Sequence, residues 1–173
     1  TELRMLFLHQ NQIKKMENLG HLWNLVTLNL AHNLIKRVEN VGNLRLLRNL
    51  DISHNLITSI HDCEEVKDLP SLTSLDLRGN QIEGHETIIP FFSEMKELVC
   101  LYLKGNPCMR NISGYRKNMV LNLPNLYYLD DRPIFEIERL CSDAYLRGGK
   151  EEEERVRVDY KTRQAKNITT QID

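Results

Sequence analysis

Leu25-Val26-Thr27-Leu28-Asn29-Leu30-Ala31-His32-Asn33-Leu34-Ile35 is the stretch that decides the fold. Leucines at 25, 28 and 30 lead to an asparagine at 33 and an isoleucine two residues later. The same phrase ends at Asn11, Asn33, Asn55, Asn80 and Asn106, at intervals of 22, 22, 25 and 26 residues. Within Leu-x-x-Leu-x-Leu the alternation marks a short strand whose leucines face inward and whose intervening residues face out. A unit this short cannot enclose a core alone, so neighbouring copies must stack and share one.

Repeats of this length, with leucines at these offsets and a closing asparagine, are leucine-rich repeats. The expected fold is α/β: a leucine-rich repeat solenoid with a parallel strand ladder on its concave face. Turns and short helices form the convex face, and a helical cap closes the C-terminal end. Asn11, Asn33, Asn55, Asn80 and Asn106 read as structural, because a short amide after each strand can bond turn backbone that no sheet partner reaches. Return segments such as Met16, Leu19 and Leu22, or Val38, Val41 and Leu44, are spaced for a turn of 3₁₀ or α helix.

Toward the C-terminus the units lengthen. Thr87 to Leu98, with Ile88, Ile89, Phe91, Phe92, Met95 and an early Pro90, reads as an α-helix of two to three turns, and a second is expected over about residues 113–123. The final phrase, Leu126-x-x-Leu129-x-Asp131, puts an acid where a core leucine stood. Asp131 and Arg132 can satisfy the exposed sheet edge, and Pro133 withholds a donor from any further strand. These three residues are read as the structural end of the ladder.

The expected organisation is repeats and cap over 1–135, a capping helix over 136–149, and a charged, partly helical tail over 150–173. The helix carries Ile137, Leu140, Cys141, Ala144 and Tyr145 and ends at Gly148-Gly149. In the tail, eleven of the seventeen residues from Lys150 to Lys166 are charged. Pairs Glu151/Arg155, Glu153/Arg157 and Asp159/Arg163 support local helix, and with little apolar stripe the segment is expected to project into solvent.

Composition excludes several classes. Of 173 residues, 41% are hydrophobic and 27% charged, ordinary values for a folded domain. The formal charge of −1 supplies no global field for nucleic acid or an anionic membrane. No apolar run approaches the roughly 20 residues of a membrane helix, and no signal-peptide pattern opens the chain. Cys63, Cys100, Cys108 and Cys141 lack paired spacing, which reads as reduced thiols in a cytosolic protein. The tripeptides Asn111-Ile-Ser113 and Asn167-Ile-Thr169 match the glycosylation pattern, one common enough by chance to carry no secretory reading. The chain opens in mid-phrase with Leu3, Leu6 and Leu8 already in register, which reads as a fragment whose natural N-terminus carries further repeats or a cap.

On the outward face, equivalent residues of successive strands form columns roughly 5 Å apart. One runs Phe7, Asn29, Asp51, Asp76, Tyr102 and Asp130, and its neighbour runs His9, Ala31, Ser53, Arg78, Lys104 and Arg132. An acidic stripe thus lies beside a basic one, with aromatic anchors among the charges, a composition suited to a protein partner. The candidate contacts are Phe7, Asn29, Asp51, Asp76, Arg78, Tyr102 and Lys104. Asp51 and Asp76 have no accompanying nucleophile, so neutralisation by Arg48 and Arg78 is the simpler account than acid/base work. His32 and His54 share a repeat position but lack a third metal ligand, and read as solvated loop residues. No nucleotide-binding or zinc-hydrolase motif occurs, and no catalytic residue, cofactor, metal or small-molecule substrate is expected.

The Asn-x-Ile phrase with linkers such as Val38-Glu39-Asn40-Val41 resembles the repeat class of the protein phosphatase-1 regulatory subunit and of axonemal proteins. More specific are Leu103-Lys104-Gly105-Asn106-Pro107, Tyr115-Arg116, Tyr128-Leu129-Asp130-Asp131-Arg132-Pro133 and the Ala-Tyr-Leu-Arg-Gly-Gly run from Ala144 to Gly149. With the opening Thr1-Glu2-Leu3-Arg4 and Leu6-Phe7-Leu8, they make the chain resemble the leucine-rich repeat dynein axonemal assembly factor 1 family. That resemblance implies a non-enzymatic cytoplasmic scaffold that preassembles dynein arms for motile cilia or flagella, with dynein subunits or assembly chaperones as partners. Two alternatives stay open: a regulatory subunit of protein phosphatase-1, and an axonemal dynein light-chain-like component.

Overall fold

The computed structural model describes residues 2–170, with side chains to residue 166. Thr1 of the opening motif, the Asn167 side chain and the last three residues lie outside that range. Six three-step coils each contribute one short strand to a single sheet in sequential order: β1 (Met5–Phe7), β2 (Thr27–Asn29), β3 (Asn49–Asp51), β4 (Ser74–Asp76), β5 (Cys100–Tyr102) and β6 (Tyr128–Leu129). All five pairings among them are parallel, and the register aligns Leu6, Leu28, Leu50, Leu75, Leu101 and Leu129. From Leu28 onward these leucines are buried, as are Leu30, Ile52, Leu77 and Leu103 two residues later. The period-2 alternation therefore builds one continuous core along the stack.

The asparagines lock that stack. Asn33, Asn55, Asn80 and Asn106 are all buried. Each donates to a carbonyl of its own strand and to one in the preceding coil, as when Asn80 reaches Leu77 and Ile52, both at 3.0 Å. Each also accepts the amide of an isoleucine in the preceding coil, Ile13, Ile35, Ile57 and Ile82 in turn. Asn11 is exposed and bonds only within its own coil, to Leu8 and His9.

The convex side changes along the chain. The first two coils return by turns, the third by a 3₁₀ segment, Ile60–Asp68, capped by Ser59 and Asp62. The fourth returns by α1 (His85–Ser93), which begins earlier and ends sooner than the spacing implies and has Pro90 in its second turn rather than at its start. The fifth carries a short 3₁₀ turn, Pro107–Asn111, then α2 (Tyr115–Asn122). Ile88, Phe91, Phe92, Met119 and Val120 bring the helices onto the core.

At the C-terminal end the ladder closes by reversal. Asp130 takes a left-handed conformation (φ 54°), and β7 (Arg132–Pro133) pairs antiparallel with β6. A two-residue antiparallel edge ending in proline offers no template for another parallel strand. Asp131 is exposed there, not buried in the leucine's place. Asp130 still lines the concave face, but its carboxylate is committed to the scaffold: it accepts the amides of Leu103 and Lys104 at 2.7 and 2.9 Å and the Tyr115 hydroxyl at 2.9 Å. Arg132 leaves the basic column, reaching Glu138 at 3.3 Å.

α3 (Glu136–Thr170) crosses the last coil with Cys141 and Ala144 buried, and is broken by non-helical backbone at Gly148 and Gly149. The segment beyond the break does not simply project. It turns back so that Glu153 pairs with Lys117 of α2, whose ammonium also lies 3.7 Å from the Tyr145 ring centre. Glu153 and Arg157 pair at 3.0 Å, whereas Arg155 takes Glu152 rather than Glu151.

Candidate functional site: the concave strand face

The outward positions of β2 to β6 line an open concavity of about 540 Å³, which gathers Asn29, Asp51, Asp76, Arg78 and Tyr102. Phe7 continues the same column on the first strand, in register with Asn29 and 55% exposed, and Lys104 lies at the other rim, held by Asp131 at 2.7 Å. Five of the seven expected contacts thus line the concavity, and Phe7 and Lys104 flank it.

The acidic and basic stripes are not free charges facing a partner. Asp76 is buried, and its carboxylate takes both Nε (3.0 Å) and Nη2 (2.5 Å) of Arg78. That hydrogen bond raises the Arg78 pKa above its ordinary value. The same carboxylate accepts the Arg78 backbone amide at 3.0 Å, closing a local turn. Asn29 and Asp51 do likewise with Ala31 and Ser53, each at 3.0 Å, and the Ser53 hydroxyl adds a bond to Asp51 at 2.7 Å. The second column position therefore shapes the strand ends as well as facing the concavity. Asp51 hydrogen-bonds to Ser53, and Arg78, whose direct ion pair is with Asp76, also feels the Asp51 charge, which adds to the rise in its pKa.

Stacked against this pair is an aromatic wall. The Arg78 guanidinium lies 4.9 Å from the Tyr102 ring centre, and Tyr102 packs on Tyr128 at 5.6 Å. Burial, reinforced by neighbouring acidic groups, raises the Tyr102 pKa. Tyr128, whose hydroxyl donates to the Asp131 carbonyl, was missed as a contact candidate. Its signal was available: it occupies the same offset as Thr27, Asn49, Ser74 and Cys100. A cation–aromatic–aromatic cluster, its two tyrosine rings tilted by 44°, beside the Asp51 carboxylate suits the capture of a polypeptide surface.

Chemistry on this face is limited by its groups. Cys100 is half-buried on β5 and its thiol is pushed up by burial, which keeps it protonated and weakly nucleophilic. Cys63 and Cys108 are buried, and burial raises Cys108 to about 11. His32 and His54 are both exposed, as expected of loop residues, and their rings stack with centres 4.3 Å apart. Among the described residues no group of three His, Cys, Asp or Glu is placed to hold a metal ion. Among them, too, no helix is long and apolar enough to cross a membrane.

Beneath the face, the C-terminal cap is tied by Arg116. It grips Glu138 through Nε at 2.6 Å and Nη2 at 3.0 Å, and donates to the carbonyls of Leu129 and Pro133 at 3.1 and 2.7 Å. One side chain thus joins α2, the β6–β7 reversal and α3. Burial opposes ionisation of Glu138, but the Arg116 hydrogen bond, the Phe135 amide and the charges of Arg116 and Arg132 outweigh it and hold the carboxyl below its ordinary range.

This geometry has counterparts. A leucine-rich repeat family model matches residues 2–159. The chain is 45% identical over 91 residues to leucine-rich repeat-containing protein ODA7 of Chlamydomonas reinhardtii, covering 53% of this chain and 21% of that protein. It is 39% identical over 112 residues to human dynein axonemal assembly factor 1, covering 65% of this chain and 15% of that protein. It therefore spans about a fifth or less of the length of these curated relatives. Among solved structures, a chain of the Drosophila melanogaster SNF/U2A′ complex superposes with a TM-score of 0.66 at 25% identity, covering 88% of this chain and 86% of that one. The chain belongs to the leucine-rich repeat family, and within that family it is similar to proteins named dynein axonemal assembly factor 1.

Proposed function

We propose that this chain is the non-catalytic, protein-binding solenoid of a factor for assembling axonemal dynein, acting in the cytoplasm on dynein arms bound for cilia or flagella. The observation that carries the reading is the aromatic wall of Tyr102 and Tyr128 beside Asp51 on the concave ladder, in a chain whose relatives are named for axonemal dynein assembly. Dynein subunits, or the chaperones acting on them, are the partners this reading names. The pairing of Asp76 with Arg78 makes those two residues the rigid floor of the surface rather than its variable contacts.

Fractionation of ciliated cells tests the compartment. The protein, tagged and purified from cytoplasm and from detergent- and salt-extracted axonemes, is expected to bring down dynein components from the cytoplasmic pool. Stable retention in extracted axonemes would instead mark a resident structural component.

A further inference from the structure

Away from the concave face, on the flank that follows the asparagine turns, the residue just after the asparagine is Gln12, Leu34, Leu56, Gln81 and Pro107 in successive coils. The residue after Leu34 and Leu56 is a buried isoleucine of the core, Ile35 and Ile57, so Leu34 and Leu56 are turned outward by the period of the chain. Leu34 is 36% exposed, and both line a recess of about 510 Å³. Backbone bonds from Leu34 to Ile13 and from Leu56 to Ile35, each 2.8 Å, hold the two in adjacent coils. The polar glutamines on either side show what this position carries where nothing needs to be apolar.

Four cations rim the recess, Lys14, Lys15, Lys36 and Arg37, against one lining carboxylate, Glu39. Among the described residues Lys14, Lys15 and Lys36 have no carboxylate at ion-pair distance, and Arg37 meets Asp62 only at 3.9 Å. In a chain of net charge −1 this is a local excess of positive charge around two apolar side chains, with Arg37 alone of the four meeting a carboxylate among the described residues.

We infer that this flank is a second docking site, independent of the concave face, for an acidic segment of a partner protein that inserts two apolar side chains between flanking Asp or Glu residues. Charge complementarity assigns the acid, and the paired leucines assign the apolar anchors. Adjacent coils place the leucines about 5 Å apart, the spacing of side chains at i and i+4 on a helix. The recess holds no aromatic ring on which a nucleobase could stack.

The test is a fluorescence-anisotropy titration with a labelled 16-residue peptide carrying two leucines at i and i+4 among glutamates. The chain is expected to bind it, and L34Q/L56Q, which installs the residue that adjacent coils already carry, is expected to weaken binding at least tenfold with an unchanged urea midpoint. K14E/K36E is expected to do the same, as is replacing the peptide leucines by serine. Binding that survives L34Q/L56Q, or is equal for the serine peptide, would reduce the site to nonspecific charge adsorption and overturn the proposal. Tighter binding of phosphatidylserine vesicles or single-stranded RNA, lost in the same variants, would overturn it in favour of that ligand. L34Q/L56Q is expected to keep its capture of dynein components; loss of both activities together would mean one shared surface and would overturn the independence claimed here.

Discussion

The side-chain amide of Asn55 donates to the carbonyl of Leu30, twenty-five residues earlier, at 3.0 Å. It also donates to Ile52 and Ser53 at 3.1 Å and accepts the Ile35 amide at 3.0 Å. One buried side chain thus satisfies backbone groups of two coils. Asn55→Ala is expected to cost roughly 2–4 kcal/mol, because it orphans a buried amide and carbonyls. Asn11→Ala, at an exposed site with two local bonds, is expected to cost less than about 1 kcal/mol. Urea denaturation of the two variants checks the difference.

Gly79 repeats the left-handed position held by His32 and His54 in the coils before it. A Cβ there would lie 2.4 Å from the His54 ring. Gly79→Ala is therefore expected to destabilise through both the φ of +63° and the displaced ring. Adding His54→Ala removes the clash and leaves the backbone strain, about 1–2 kcal/mol. A double-mutant cycle should show positive coupling; strictly additive losses would contradict the contact.

The Arg116–Glu138 pair contributes to the acid limb of stability. Because the folded Glu138 carboxyl titrates below its unfolded value, its contribution is complete above the unfolded pKa, roughly 4.3, and is lost as pH falls through the folded one. Glu138→Gln is expected to lower the melting temperature at pH 7 and to flatten its decline between about pH 5 and pH 3. Thermal melts across that range give the comparison.

Gly149 has φ 69° and ψ −153°, a region open essentially to glycine alone, and a Cβ on Gly148 would approach that of Glu152 to 2.7 Å. G148A/G149A is expected to favour a continuous helix and to carry Glu153 away from Lys117. Small-angle scattering should record a larger maximum dimension, and carbodiimide crosslinking of Lys117 to Glu153 should disappear.

How much of this was legible in the residues depended on how local the cause was. Leucine spacing and the asparagines report core direction and turn position, and both follow from a strict period. The exchange of charge was not visible that way. Asp76 and Arg78, two residues apart, read as neighbouring columns facing a partner, yet the strand end brings them together as a bidentate pair. Asp130 read as one more column member, but a single positive φ aims it at Leu103, Lys104 and Tyr115. The return of the tail onto Lys117 depends on two glycine conformations that composition signals only as a helix end. Tyr128 was within reach, since its register follows from Leu129.

The most direct test of the account is quantitative affinity purification from ciliating cells of the wild-type protein and the concave-face variant Asp51→Lys/Tyr102→Ala/Tyr128→Ala. These positions carry few of the fold's hydrogen bonds, so the melting temperature should stay within a few degrees of wild type. Recovery of dynein-assembly components is expected to fall at least fivefold. Undiminished recovery by a folded variant would place the partner surface elsewhere and contradict the central claim.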